Sequence, residues 1–124
     1  HFKKINDTRG HAAGDLVIKE LAKNIMSLLR ENDLFCRWGG EEYIVLLPEC
    51  SIAQCLKTVE RVRQFAEVTP IVGKGISEQP MYITLSAGCT VIHQNDHVIQ
   101  DMIERADEAL YRAKKEGRNR VLKN

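Results

Sequence analysis

An α+β fold, with helices covering one or both faces of a largely antiparallel sheet, follows from three features of this 124-residue sequence. Three long segments carry apolar residues at helical spacing. Two short apolar runs meet at a glycine turn as a hairpin would, and β-branched residues crowd a stretch before the last helix. No repeat, low-complexity tract or interdomain linker interrupts this order, and the length suits a single domain over residues 1–124.

The first helix is expected over about residues 14–30, with Leu16, Leu21, Ala22, Ile25, Leu28 and Leu29 on one side. Asp15 stands at its start, where a carboxylate can cap free amides and meet the positive end of the helix dipole. Residues 34–38 and 43–47 form the hairpin strands, and Pro48 stops the second. A second helix runs from Ser51, a suitable cap, to about Val68, with Ile52, Leu56, Val59, Val62 and Phe65 or Ala66 inward. Residues 69–80, rich in Gly and Pro, read as a loop, and residues 81–93 are β-rich through Tyr82, Ile83, Thr84, Thr90, Val91 and Ile92. The last helix covers residues 98–116, with Ile99, Met102, Ile103, Ala106, Ala109, Leu110 and Ala113 on its apolar face. Gly117 ends it, and Val121-Leu122 offers a short final strand.

Composition narrows the function. Eighteen basic and seventeen acidic residues nearly cancel, so no broad cationic surface offers itself to nucleic acid. The longest apolar run is far too short to span a bilayer and no signal-peptide pattern opens the chain, so the expected compartment is the cytoplasm. Cys36, Cys50, Cys55 and Cys89 lack CxxC spacing and read as core or incidental thiols rather than metal ligands.

The most informative string is Gly39-Gly40-Glu41-Glu42-Tyr43. Glycines let backbone approach a ligand, carboxylate oxygens suit a hard cation, and the apolar run from Tyr43 supplies a strand behind them. A solvated hairpin turn explains the same five residues when they are taken alone. Neighbours on a strand face opposite ways, so Glu41 and Glu42 need not share a role. Lys114 and Arg118 lie four apart at a helix end, on one face, where dipole partners also sit. Arg30 and Asp33 form a charged pair at another helix end.

Three motifs in order carry a family resemblance. Phe2-Lys3-x-x-Asn6-Asp7-x-x-Gly10-His11-x-x-Gly14-Asp15, then Gly39 to Tyr43, then Tyr111-x-Ala113-Lys114-x-x-Gly117-Arg118-Asn119 resemble the catalytic domain of diguanylate cyclases, the GGDEF family, along the whole chain. The resemblance implies a nucleotide-cyclase or polymerase-palm-like fold with a ferredoxin-like core. It also implies condensation of two GTP into cyclic di-GMP with release of two pyrophosphates. Asn6 and Asp15 correspond to the guanine readers, in a substrate-binding segment that includes Phe2, Lys3 and His11. Asp15 favours GTP, because a branch with relaxed purine choice carries a smaller neutral residue there. Gly39 and Gly40 let backbone meet the phosphates, Lys114 and Arg118 resemble the residues that hold the β- and γ-phosphates, and Lys3 adds to them. Glu41 is the expected ligand of Mg²⁺ or Mn²⁺, and Glu42 stands near the attacking hydroxyl or a second metal; which of the two assists proton removal is left open. Arg30 and Asp33 match the family's inhibitory product site, with Arg61 as a helper and Arg63 competing for that part. Catalysis is expected in a homodimer under an upstream sensory domain, with membrane attachment of the parent left open.

Departures from the family pattern are few. Tyr43 replaces the usual Phe, Glu41 replaces the Asp of the family name, and Arg9 stands where an aromatic residue is usual. The family's first strand, whose aspartate shares the metal with Glu41, is expected ahead of His1. The 124 residues are therefore expected to be an N-terminally truncated piece of a longer chain, with little or no cyclase activity alone. The alternative function is a non-catalytic module that binds cyclic di-GMP or GTP; the intact Gly39-Gly40-Glu41-Glu42 favours the enzyme.

Overall fold

The computed structural model describes residues 2–73 and 79–124. In chain order its elements are α1 (Phe2–Arg9), α2 (His11–Leu28), β1 (Leu34–Gly39), β2 (Glu42–Leu46), α3 (Ile52–Val68), β3 (Ala87–Cys89), α4 (Ile99–Lys115) and β4 (Val121–Lys123). The α+β class holds, but the described strands pair two by two. β1 and β2 are antiparallel, whereas β3 and β4 are parallel.

One unit comprises His1–Pro48 and Val68–Ile83. Its first helix, α1, was not expected from periodicity. It is short, mostly polar, and held by packing against α2. Only Gly10 separates the two helices, at φ +83°, a backbone conformation that glycine adopts without steric penalty. Gly10 is the N-cap of α2, so that helix starts at His11 rather than near residue 14. Asp15 is then its fifth residue, beyond the four amides that a cap serves, and the capping role falls. The buried side of α2 runs through Ala13, Gly14, Val17, Ile18 and Ile25. Val17 packs with Ile71 and Met81, and Phe2, Ile5, Leu16 and Ile83 surround them. Ile71 and Met81 exchange backbone hydrogen bonds of 2.7 and 3.1 Å. The described part of the expected loop at 69–80 therefore anchors a core, and residues 74–78 of that loop lie outside the described residues.

The other unit comprises Glu49–Glu67 and Thr84–Asn124. α3 begins with a capping box: Ser51 Oγ accepts the Gln54 amide at 3.3 Å, and Gln54 Oε1 accepts the Ser51 amide at 2.9 Å. Val62 and Ala66 are its buried residues, as the expected apolar face implies. In α4, Asp101 accepts the amides of His97 and Val98 at the start, and Arg112, Lys114 and Lys115 meet the negative end of the dipole. Ala109 and Ala113 are buried where α4 packs on β3 and β4. The approach is so close that a Cβ on Gly88 of β3 would lie 2.0 Å from the Ala106 carbonyl oxygen. Of the β-rich stretch 81–93, the structure makes β3 and the single Met81 bridge, because a strand exists only where a second backbone completes its ladder. No disulfide joins the four cysteines, and Cys89, buried and hydrogen-bonded to Cys55, has its pKa pushed up. Among the described residues no helix is long and apolar enough to cross a membrane.

The segment between β3 and α4 is closed by Arg105, which donates to both Asp96 oxygens at 2.5 and 2.7 Å and to the Val91 carbonyl at 2.9 Å. The hydrogen bonds from Arg105, with one from the His93 amide, lower the Asp96 pKa from 3.8 to about 2. A depressed carboxyl pKa adds stability that is complete above the unfolded value and disappears as pH falls through the folded one. Urea unfolding should therefore show stability falling between pH 4 and pH 2. Asp96→Asn should be less stable at pH 6 and show a shallower decline over that window. Parallel pH profiles for the two proteins would contradict this assignment.

Candidate functional site

The glycine turn is a two-residue connection, Gly40-Glu41, between paired Gly39 and Glu42. Gly40 has φ +50°, the left-handed conformation that such a turn asks of its first residue. Gly39 has no such requirement, and a Cβ on either glycine would meet nothing within 4 Å. A side chain at either position would thus project into open space. Glu41 lies in the turn and Glu42 opens β2, so the alternation argument does not apply to Glu41. Both are exposed.

Arg37, which the motif reading passed over, fixes this turn. Its Nε and Nη2 donate to the Gly40 carbonyl at 3.0 and 2.7 Å, and the ladder is bulged between Arg37 and Gly39. A bulge sharpens the local twist, and the guanidinium fork holds the resulting bend. A strand arginine three residues before the second glycine was the available signal. Behind the turn, the Tyr43 ring stacks on Phe35 with centroids 5.2 Å apart, and its hydroxyl donates to the Ile18 carbonyl of α2 at 2.8 Å. The hydroxyl that distinguishes Tyr from Phe here has a partner. Burial raises its pKa, which keeps the donor proton in place.

On the helical side of the same unit, Asn6 is half-buried on α1 and its Oδ1 is fully buried with no hydrogen-bond partner among the described residues. Gly14 makes room for it: a Cβ there would lie 1.8 Å from Asn6 Oδ1 and 3.2 Å from Phe2 Cζ. Phe2 belongs to the Val17 core, so its ring forms part of the wall beside Asn6. Lys3 on α1, and His11 and Asp15 on α2, are exposed.

Arg30 and Asp33 close a turn between α2 and β1. Arg30 Nε and Nη2 donate to Asp33 Oδ1 at 3.1 and 2.9 Å, the Arg30 amide donates to Oδ2 at 2.7 Å, and Nη2 reaches the Pro48 carbonyl at 3.1 Å. The Arg30 side chain stays 59% exposed while that of Asp33 is 1% exposed. The guanidinium holds the Asp33 carboxyl below its ordinary range.

In the other unit, Lys114 is half-buried in the last turn of α4, and Arg118 is exposed beyond it at φ +63°. Arg61 is exposed on α3 in a shallow depression with Lys57, Thr58, Glu60 and Gln64, whereas Arg63 is engaged by Glu60 and Glu67. As for a metal, Glu41 and Glu42 are hard oxygen donors of the kind a small divalent cation takes. Among the described residues no group of three His, Cys, Asp or Glu converges to complete a shell.

Residues 1–120 match the family described as "Diguanylate cyclase, GGDEF domain". Diguanylate cyclase DgcP of Pseudomonas aeruginosa is 45% identical over 121 residues, covering 98% of this chain and 17% of that protein. Diguanylate cyclase A of Treponema denticola is 42% identical over 120 residues, covering 97% of this chain and 32% of that protein. The chain thus spans a third or less of these relatives. The active GGEEF domain of a diguanylate cyclase from Vibrio cholerae is similar at a TM-score of 0.90 and 38% identity, over 99% of this chain and 76% of that one. The GGDEF domain of DgcB from Caulobacter crescentus in complex with c-di-GMP gives 0.85 at 30% identity, over 99% and 71%.

The Gly14 contact makes a thermodynamic prediction. Gly14→Ala should lose about 1–3 kcal/mol by overpacking, and the loss should shrink in an Asn6→Ala background where the clashing amide is gone. Urea denaturation of the four proteins measures this coupling. Equal losses in the two backgrounds would show that Asn6 does not depend on Gly14.

Proposed function

The chain belongs to the GGDEF diguanylate cyclase family, and from that premise we propose that it condenses two GTP into cyclic di-GMP. In each half-reaction a ribose 3′-oxygen bonds to the α-phosphorus of the other nucleotide, its proton leaves, and pyrophosphate departs. A second such step closes the ring. Reactions of this kind depend on positioning and on charge stabilisation more than on covalent catalysis.

The observation that carries this reading is Gly39, a glycine that neither a positive φ nor a neighbouring atom requires, next to two exposed carboxylates. Space kept clear beside backbone amides suits a phosphate chain. Asn6 supports the reading, because a buried acceptor without a partner is costly unless a ligand satisfies it. Asn6 and the Asp15 carboxylate would accept from the N1–H and N2–H₂ edge of guanine, which adenine lacks. Glu41 would hold Mg²⁺ or Mn²⁺, with Glu42 at the attacking hydroxyl or a second ion. A cation bound there would neutralise charge that builds on the α-phosphate. Lys114 and Arg118 take the β- and γ-phosphates, assisted by Lys3, while Phe2 and His11 line the substrate segment. Residues 1–124 belong to one catalytic domain in the cytoplasm, where GTP and reduced thiols are at home, and two copies of that domain, each with one GTP, supply the two nucleotides.

Cyclic di-GMP is also proposed to bind at Arg30 and Asp33, with Arg61 as a helper, and to inhibit the enzyme. The Arg30 guanidinium, oriented by Asp33 yet still 59% exposed, is a planar cation of the kind that suits phosphate and the guanine edge.

Two experiments test these assignments in the full-length protein. Glu41→Ala and Glu42→Ala should each lower GTP turnover by roughly 100-fold or more with little change in melting temperature, since both side chains are exposed. Full activity in both would overturn the mechanism, and nucleotide binding without turnover in the parent would favour a regulatory module. Arg30→Ala should weaken calorimetric binding of cyclic di-GMP by about tenfold or more while the protein stays folded. Unchanged affinity would remove the inhibitory site from this surface.

A further inference from the structure

The segment that follows α4 is unusual for its backbone. Gly117, Arg118 and Asn119 have φ of +115°, +63° and +46° in succession. Glycine tolerates this region and asparagine visits it, but a long side chain such as Arg118 is sterically disfavoured there. Such a turn persists only where its surroundings over-determine it. Here they do so through Asn119. Its backbone amide donates to Ser86 Oγ at 3.1 Å, its Oδ1 accepts from Arg63 Nη1 at 2.7 Å, and its Nδ2 donates to Glu67 Oε1 at 2.7 Å. The side-chain amide is thus gripped at both ends by two residues one helical turn apart on α3.

That grip is itself built. Arg63, whose side chain is 12% exposed, pairs with Glu67 Oε2 and Glu60 Oε1, both at 2.8 Å. Its Nε also donates to Glu60 at 2.9 Å. Hydrogen bonds to Arg63 and Asn119 pull the Glu67 carboxyl below its ordinary range, so the network is charged at neutral pH. Immediately before Asn119, the Arg118 amide bonds the Ala113 carbonyl at 2.9 Å. Just after it, the Arg120 carbonyl accepts from Ala87 at 3.0 Å, which ties the segment to β3. Among the described residues the Arg118 side chain itself makes only a long contact, 3.4 Å, with the Lys114 carbonyl.

We propose that Arg63 and Glu67 are positioning residues for GTP: by clamping the Asn119 amide they hold the left-handed turn that aims the Arg118 guanidinium at the nucleotide phosphates. This rests on the reading of Arg118 as a phosphate-binding residue. It also separates Arg63 from Arg61, two residues earlier on α3, because Arg63 serves the turn and not a product-binding surface.

A double-mutant cycle in the full-length protein tests the proposal, with KM for GTP, kcat and melting temperature as readouts. Asn119→Gly keeps a backbone free to adopt positive φ and removes the clamp. It should raise KM for GTP about tenfold with kcat changed less than threefold, and Arg63→Lys, which keeps charge but loses the fork, should shift KM in the same direction. In an Arg118→Ala background, where KM is already raised, both substitutions should change KM less than twofold. Should Asn119→Gly leave KM unchanged, or raise it equally in both backgrounds, the clamp has no link to Arg118 and the proposal is overturned. An Arg118→Ala protein with normal KM would overturn it by a different route, by removing the phosphate role on which it rests. Arg63→Ala is the less informative variant, because it leaves Glu60 and Glu67 without their shared cation; Asn119→Gly is free of that complication.

Discussion

The approach of α1 to α2 at Gly14 is the constraint on which the first unit is built. Gly14 has no Cβ to hold the two helices apart, so the Asn6 amide occupies the volume a side chain would fill. This places Phe2 and Ile5 against the Val17, Ile71 and Met81 core. The same approach leaves Asn6 Oδ1 buried without a partner among the described residues, a defect worth about 1–3 kcal/mol in a protein whose total stability is small. A buried acceptor of this kind is tolerated where a ligand satisfies it, and under the proposed function that ligand is the guanine base.

The hairpin answers a different need. A ligand that approaches backbone requires an empty surface, and an empty surface gives the turn no packing to hold its shape. Arg37 resolves this from within the strand: its guanidinium ties the Gly40 carbonyl while leaving the outer side of the turn open. Tyr43 and Phe35 brace the strands, and the Tyr43 hydroxyl joins β2 to α2. The acidic residues therefore stand on a rigid base although they are exposed themselves.

In the second unit, polar contacts are placed where the backbone is least regular. Arg105 closes the segment after β3 around Asp96, and the Arg63–Glu67 pair clamps Asn119 at a turn of three positive φ values. The helical and parallel-strand parts, by contrast, meet through small residues, with Ala109 and Ala113 buried and Gly88 nearly touching the backbone of α4. Close backbone packing supplies the frame, and charged side chains hold the loops that the frame leaves unsupported.

Much of this is written locally. Apolar spacing located α3 and α4 within a residue or two, the Ser51–Gln54 pair marks a helix start, and glycines 39 and 40 mark the hairpin turn; each signal acts over a few residues and needs no partner elsewhere. The family motifs also made Asn6, Asp15, Glu41, Glu42, Lys114 and Arg118 visible as candidates, because their spacing is itself a local property. What the sequence could not show was which distant groups meet. α1 is too short and polar for periodicity to reveal. Ile71 lay in a stretch that composition marks as loop, the strand at 87–89 depends on pairing with 121–123, and Arg63 finds Asn119 across 56 residues. Local chemistry by itself determined α3, α4 and the hairpin turn, and the family motifs written in the sequence named the candidate site residues. Only the tertiary structure decided where buried atoms are left unsatisfied and which charged pair holds which turn, because those depend on contacts between residues far apart in the chain.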